Sequence, residues 1–126
     1  YCLTLDEARM AISDKHASLS DIPKKILNLT KGKFVTITLG SKGSIAANTK
    51  KNSFSMPAIT KTTVDTMGAG DAYFAISSPV LYLTKSIELS SLMGNIAGAI
   101  QVGITGLGNS LNKLKLLRFC NSLLKV

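Results

Sequence analysis

The sequence contains no tryptophan, and its aromatic residues are limited to three tyrosines and four phenylalanines. Acidic residues are also few: seven stand against fifteen lysines and arginines, for a formal net charge of +8. Such a balance raises the question of a nucleic-acid or membrane surface as partner. Because the basic residues are spread along the chain without interleaved aromatic residues, we expect solvated faces and no nucleic-acid partner.

Cysteine and histidine are also scarce. Cys2 and Cys120 lie far apart, with no CxxC or zinc-type spacing, and are interpreted as free thiols in a reducing compartment. His16 is the only histidine and lies in a polar stretch with no evident partner, so it is interpreted as a loop residue.

Signals for export or membrane insertion are lacking too. Residues 1–10 mix acidic and basic residues and lack the apolar core of a signal peptide, so we expect a cytoplasmic protein. The most apolar segment, residues 87–104, holds Glu88, Asn95 and Gln101, which argues against a membrane span. A buried helix of a soluble domain is expected there, and no membrane partner.

The most informative stretch is Val-Asp-Thr-Met-Gly-Ala-Gly-Asp-Ala at residues 64–72. Gly68 and Gly70 bracket Ala69, Asp71 follows, and an apolar run comes after, which is typical of a loop turning into a helix. A helix start leaves about four N–H groups without intrahelical partners and carries a partial positive charge, so it attracts anions. Residues 68–71 are therefore predicted to form an amide cradle for phosphate oxygens.

Asp71 needs a separate explanation. A first-turn acid is mildly favourable on the helix dipole, but beside bound phosphates it repels them unless a proton or a metal ion is involved. Proton transfer supplies such a reason. A plain capped loop explains the same residues and stays open here. Met67 interrupts the Asp-Thr-Gly of aspartic proteases, and a Walker loop would need Gly-Lys-Ser/Thr.

Two motifs resemble one family. Asp-Thr-x-Gly-Ala-Gly-Asp at residues 65–71 resembles the C-terminal signature of the ribokinase, or phosphofructokinase-B (PfkB), family of carbohydrate kinases, and Thr-Leu-Gly-x-x-Gly at residues 38–43 is a second family feature. The resemblance implies an α/β fold with the ribokinase-like three-layer α/β/α architecture. Residues 1–126 would be its C-terminal nucleotide-binding and catalytic part, with the N-terminal sugar-binding half absent.

The same resemblance implies transfer of the γ-phosphoryl group of ATP to a hydroxyl of a sugar or sugar phosphate. Asp71 would take the proton, and the amides of Gly68, Ala69, Gly70 and Asp71 would stabilise charge on the moving group. We expect this part alone to be inactive and the full-length enzyme to be compatible with a homodimer. The acceptor stays open. The alternative is a non-catalytic nucleotide-binding or structural fragment.

Nucleotide-binding residues are implied at two further places. In relatives the turn after the strand that corresponds to residues 34–39 lines the nucleotide phosphates, so the resemblance implies that role for Thr38, Gly40, Ser41 and Gly43. A glycine turn at the carboxyl end of a strand opens N–H groups toward the ligand crevice. A plain hairpin turn is the alternative. Farther along, Asn95 falls where a relative's residue contacts the base, with Gly98 beside it. Close helix packing explains Gly94 and Gly98 equally well.

Metal binding is implied more weakly. The family carries Asn-x-x-Glu, whose acid acts near Mg²⁺ and the phosphates, and Thr-Leu-Asp-Glu at residues 4–7 occupies the similar place: Glu7 fits and Thr4 departs. A solvated helix-face acid is the alternative for Glu7. The glycine-rich residues 103–109 match a loop that, together with Asp65, surrounds a monovalent cation such as K⁺ in relatives.

Residue patterns also predict the elements. Helices are expected at residues 5–12 and 24–29, the second with Pro23 in its first turn, and strands at residues 34–39, 44–47 and 54–57, followed by an extended segment at 59–64. A helix from Ala69 should kink or restart near Pro79. A long helix should bury Leu89, Leu92, Met93, Ile96, Ala97, Ile100 and Val102. An amphipathic surface helix should close the chain with Leu114, Leu117 and Leu124 on its apolar side.

Overall fold

The structure is a computed structural model that describes residues 1–50, 52–60, 66–103 and 111–125. The chain divides into two compact units, Tyr1–Pro57 and Ala58–Val126. The first unit combines a sheet with helices, and the described part of the second is helical.

Four strands form the sheet of the first unit in sequence order: β1 (Cys2–Thr4), β2 (Phe34–Thr38), β3 (Ser44–Asn48) and β4 (Ser53–Met56). β1 is parallel to β2, whereas β2–β3 and β3–β4 are antiparallel hairpins. A parallel pair needs a crossover connection, which α1 (Leu5–Ala11) and α2 (Ile22–Thr30) supply. The predicted helices and strands of this unit are confirmed, with Pro23 in the first turn of α2.

The core of the first unit lies between β2 and α2. Val35 and Ile37 are each 1% exposed and pack with Ile22 and Ile26, which are fully buried. The intervening residues of β2 are only partly buried, so the strand is fully buried on one face. The alternation follows from the period of two in a strand, because only one face meets the helices of this unit.

Three helices make up the described part of the second unit: α3 (Ala69–Thr84), α4 (Ile87–Val102) and α5 (Lys113–Leu124). Lys85 in the left-handed conformation ends α3, and the hydroxyl of Ser86 caps α4 by accepting the N–H of Leu89 at 3.1 Å. The short connection makes α3 and α4 a helical hairpin. Within the described residues, none of the helices has the length and apolar character needed to cross a membrane.

The sequence predicts that the helix kinks or that a new helix begins near Pro79. The prediction of a new helix is wrong. α3 runs from Ala69 to Thr84 with Pro79 inside it. Proline removes the N–H that would bond to the carbonyl of Ala75. Both Ala75 and Pro79 are exposed, so water can serve that carbonyl and the helix continues.

The buried side of α4 matches the predicted apolar face only in part, because Ile96, Ala97 and Val102 are buried as predicted. Leu89 is 41% exposed, whereas Ser90, Ser91 and Gly94 are buried. The hydroxyl of Ser90 donates to the carbonyl of Ser77 on α3 at 2.9 Å. Small residues occupy the contact because the two helices approach too closely for a row of leucines.

Tyr73 and Gly94 show how close that approach is. Tyr73 is 3% exposed, and a Cβ atom at Gly94 would lie 2.7 Å from its Cζ and 2.8 Å from Cε1 and Cε2. These separations are shorter than any normal carbon–carbon contact. Helix packing therefore accounts for Gly94, whereas Gly98 has only an ordinary contact, 3.6 Å from its Cβ position to the carbonyl oxygen of Ala69.

The last helix, α5, is confirmed as an amphipathic surface helix. Asn112 caps it by accepting the N–H of Lys115 at 2.9 Å. Leu114, Leu117 and Leu124 of the predicted apolar side are exposed, whereas Leu116, Phe119 and Cys120 are partly buried. Both cysteines of the chain are free thiols, as expected.

We predict that Gly94→Ala destabilises the second unit. The added methyl group overlaps the Tyr73 ring, and overpacking of this kind costs about 1–3 kcal/mol. Chemical denaturation of the variant measures the loss. Gly98→Ala is the matched control, because its methyl group meets only an ordinary contact. Replacing a helical glycine by alanine raises the free energy of unfolding by about 0.5–1 kcal/mol. Equal stabilities of the two variants would contradict the prediction.

Candidate active site

The N-terminus of α3 is built on a glycine cap. Gly68 has φ +76° and ψ 0°, a left-handed conformation that favours glycine. The N–H of Ala69 donates to the carbonyl of Thr66 at 3.3 Å, and that of Ala72 to the carbonyl of Gly68 at 2.9 Å. Glycine has no side chain to cap the helix, so the amides of Gly70 and Asp71 have no acceptor among the described residues.

Gly70 has the most open surroundings among the described glycines of this unit. It has no positive φ, it is exposed, and a Cβ atom there would meet nothing within 4 Å. Neither the backbone conformation nor the packing of the described residues requires glycine, although glycine disfavours a helix by up to about 1 kcal/mol relative to alanine. The open space beside Gly70 leaves its main chain accessible to a ligand.

Asp71 is the third residue of α3 and is exposed. It forms no ion pair within the part of the chain that the structure describes. Its carboxylate therefore stands in the same helical turn as the two open amides, at the positive end of the helix dipole. A carboxylate and two open amides thus lie in one helical turn. The predicted cradle also included the amides of Gly68 and Ala69, and that of Ala69 is bonded to Thr66. The roles of these groups in catalysis stay predictions.

The last turns of α4 lie alongside the cradle. The Cβ position of Gly98 is 3.6 Å from the carbonyl oxygen of Ala69, and the Cβ position of Gly68 is 3.5 Å from Nε2 of Gln101. Asn95 lies one turn earlier, is 9% exposed, and donates from Nδ2 to the carbonyl of Ser91 at 2.8 Å. Its contact with a nucleotide base stays a prediction. Gln101 was not among the predicted site residues, although the i, i+3 spacing from Gly98 places it on the same side of α4.

The predicted turn of the first unit joins β2 to β3. A single 3₁₀ turn, Gly40–Lys42, connects them, with φ +60° at Gly40 and +96° at Gly43. Two amides form hydrogen bonds inside the turn. The N–H of Leu39 donates to the carbonyl of Gly43 at 2.8 Å, and the N–H of Gly43 donates to the carbonyl of Gly40 at 3.1 Å. Thr38 ends β2 and donates from Oγ1 to the carbonyl of Leu3 at 3.4 Å. Gly40, Ser41 and Lys42 are exposed, whereas Gly43 is buried.

Glu7 has a structural role at the start of α1. The N–H of Thr4 donates to its Oε2 at 2.7 Å, and the N–H of Glu7 donates to Oγ1 of Thr4 at 3.3 Å, which is a reciprocal capping box. These hydrogen bonds lower the pKa of the Glu7 carboxyl. In the described ranges, no three acidic, histidine or cysteine side chains are grouped closely enough to hold a metal ion.

The structure describes only some of the remaining predicted site residues. Asp65 and residues 104–109 of the glycine-rich loop lie outside the described residues. Of the others, Glu7 and residues 38–43 belong to the first unit, whereas residues 68–71, Asn95 and Gly98 belong to the second.

A comparison with solved structures places this arrangement among known folds. A ribokinase from Thermotoga maritima matches with a TM-score of 0.82 at 22% identity, covering 95% of this chain and 41% of that one. A ribokinase from Arabidopsis thaliana solved with ribose and ATP matches with a TM-score of 0.80 at 23% identity, covering 94% and 39%. Phosphofructokinase-2 from Escherichia coli, solved with potassium, gives 0.82 at 19%, covering 97% and 40%.

These matches show the ribokinase-like α/β fold, and the chain spans about two fifths of the length of those structures. A sequence search against curated proteins finds no match. The model of the pfkB family carbohydrate kinases matches residues 1–114, a span that includes both the turn at 38–43 and the cradle. The chain therefore belongs to the pfkB family of carbohydrate kinases.

Proposed function

We propose that the full-length protein transfers the γ-phosphoryl group of ATP to a hydroxyl of a sugar or sugar phosphate. The observation that carries this proposal is the glycine-capped start of α3, with two open amides and an exposed Asp71 in one turn, in a chain of a carbohydrate kinase family. Structural neighbours solved with ribose and ATP or with fructose-6-phosphate support the acceptor class. The chain would supply the nucleotide side, and the rest of a longer kinase the sugar side.

The cradle would act on the charge of the transferred group. As the acceptor oxygen bonds to phosphorus and the bond to ADP breaks, negative charge spreads over the phosphoryl oxygens, and fixed N–H donors stabilise it. The amides of Gly70 and Asp71 would supply two such donors. The acceptor hydroxyl loses its proton, and the Asp71 carboxylate takes it. The exposed main chain of Gly40 and Ser41 would line the remaining phosphates.

Magnesium would neutralise charge on the nucleotide phosphates. Mg²⁺ keeps several waters and is commonly held by substrate phosphates with one or two carboxylates, so a chain without a larger acidic cluster among its described residues fits it. Glu7 is the proposed carboxylate from the first unit, since only its Oε2 is used by the capping box. A K⁺ site at Asp65 and the glycine-rich loop stays a prediction.

We predict that Asp71→Asn in the full-length enzyme lowers kcat by about a hundredfold or more, with little change in ATP affinity, because a general base is lost while the amides remain. Steady-state kinetics with the accepted sugar measure this. Glu88→Gln is the matched control, since Glu88 is the first-turn acid of α4, and it should leave kcat unchanged. Near-normal turnover of Asp71→Asn would remove this residue from the mechanism. ATP binding without transfer to any sugar would favour the non-catalytic alternative.

Gly70→Ala should separate ligand binding from folding. Because a methyl group there meets nothing in the described protein, we expect unchanged or slightly raised stability. A methyl group that displaces the phosphates by an ångström should lower kcat/KM for MgATP by about a hundredfold. Gly68→Ala should instead destabilise the protein by roughly 1–2 kcal/mol, because its φ is +76°. Full activity of a stable Gly70→Ala variant would contradict the cradle.

Glu7→Gln should distinguish capping from magnesium binding. Glutamine also accepts the Thr4 N–H, so we expect folding to be retained at pH 7 while the Mg²⁺ concentration for half-maximal velocity rises about tenfold. Thr4→Val should do the reverse, with a stability loss of about 1 kcal/mol and an unchanged Mg²⁺ requirement. An unchanged Mg²⁺ requirement in Glu7→Gln would limit Glu7 to capping.

The lowered pKa of Glu7 also sets a pH dependence. A depressed folded-state pKa contributes stability above the unfolded-state value, about 4.3. That contribution is lost as the pH falls through the folded-state value. Acid titration of unfolding should therefore show a steeper loss for the wild type than for Glu7→Gln.

A further inference from the structure

Gln101 is the polar side chain of α4 that reaches the cradle. It lies in the last turn of the helix and is partly buried. Its Nε2 is 3.5 Å from the Cβ position of Gly68, and its Cδ and Cγ are each 3.9 Å from the same point. The carboxamide therefore lies against the glycine that begins α3.

The carboxamide of Gln101 forms no hydrogen bond with the residues that the structure describes. A side-chain amide carries two N–H donors and an acceptor oxygen. Partial burial limits how well water can serve them, so a bound partner would gain more than at a fully exposed site. The first turn of α3, next to this carboxamide, contains the open amides of Gly70 and Asp71. The side-chain N–H groups of Gln101 and these two main-chain N–H groups are all suited to bind an anionic ligand.

Charge around the cradle points the same way. Residues 66–72 and 98–103 include no lysine or arginine, and Asp71 is their only charged residue. Within these segments, attraction for an anion therefore rests on neutral donors and the helix dipole. A cation at position 101 would compete with the substrate hydroxyl for the Asp71 carboxylate by pairing with its negative charge. A neutral carboxamide donates to phosphate without that effect.

We propose that Gln101 binds the phosphate chain of the nucleotide by donating from Nε2 to a phosphate oxygen, next to the amides of the cradle. This inference rests on the proposed function and adds a binding residue to it. Gln101 contributes affinity for the phosphates and none for the base. The 3.5 Å separation between its Nε2 and the Cβ position of Gly68 places the carboxamide at the start of α3.

Gln101→Met in the full-length kinase tests this. Methionine keeps the length of the side chain and its packing on Gly68 but removes the donor. Because a hydrogen bond to a charged group is lost, the Kd for MgATP and MgADP should rise about tenfold or more, whereas the Kd for adenosine and the Tm stay unchanged. Calorimetric titration with the three ligands measures this. Asn121→Met on the exposed side of α5 is the matched control and should alter none of these values.

Gln101→Glu provides a second test should methionine disturb the fold. A carboxylate of the same shape repels phosphate, so the Kd for MgATP should exceed that of Gln101→Met and the difference should shrink at high salt. Unchanged MgATP affinity in both variants overturns the inference alone. Equal weakening of adenosine would assign Gln101 to the base and overturn it as well. A wild-type enzyme that binds no MgATP defeats the proposed function together with the inference.

Discussion

The contact between the Tyr73 ring and the backbone of Gly94 sets the spacing of α3 and α4, and the second unit depends on it. The ring fills the place where any side chain at position 94 would lie. With the helices held this close, the first turn of α3 lies against the last turns of α4, so that Gly98 faces Ala69 and Gln101 faces Gly68. The buried hydroxyl of Ser90 adds a hydrogen bond to the carbonyl of Ser77 on the opposite helix.

Three of the described glycines of this unit, Gly68, Gly94 and Gly70, differ in the physical reason for glycine at their positions. Gly68 has a left-handed backbone that other residues rarely adopt, and Gly94 makes room for a ring. Gly70 has neither need, and the space next to it is open. A glycine destabilises a helix, and neither packing nor backbone conformation requires one at this position. Such a glycine is expected where a ligand approaches the main chain. Gly70 is therefore the glycine that most directly supports a binding role for the cradle.

The first unit combines ordinary sheet chemistry with one open turn. Strand alternation places Val35 and Ile37 in its core, and the capping box of Thr4 and Glu7 begins its first helix. The turn that contains Gly40 exposes main chain between two antiparallel strands. The excess of lysines belongs to other surfaces, since neither residues 66–72 nor residues 98–103 contain one.

Sequence alone determined the local elements and the family, because caps, turns and strand alternation depend on neighbouring residues. The helix start at Gly68, Pro23 in the first turn of α2 and the hairpin turn of Gly40 are of this kind. Only the tertiary structure decided which side of α4 is buried, why Gly94 is glycine, and that Gln101 lies at the cradle. The physical reason is that periodicity describes a face of one helix, whereas burial depends on which helix covers that face and how closely.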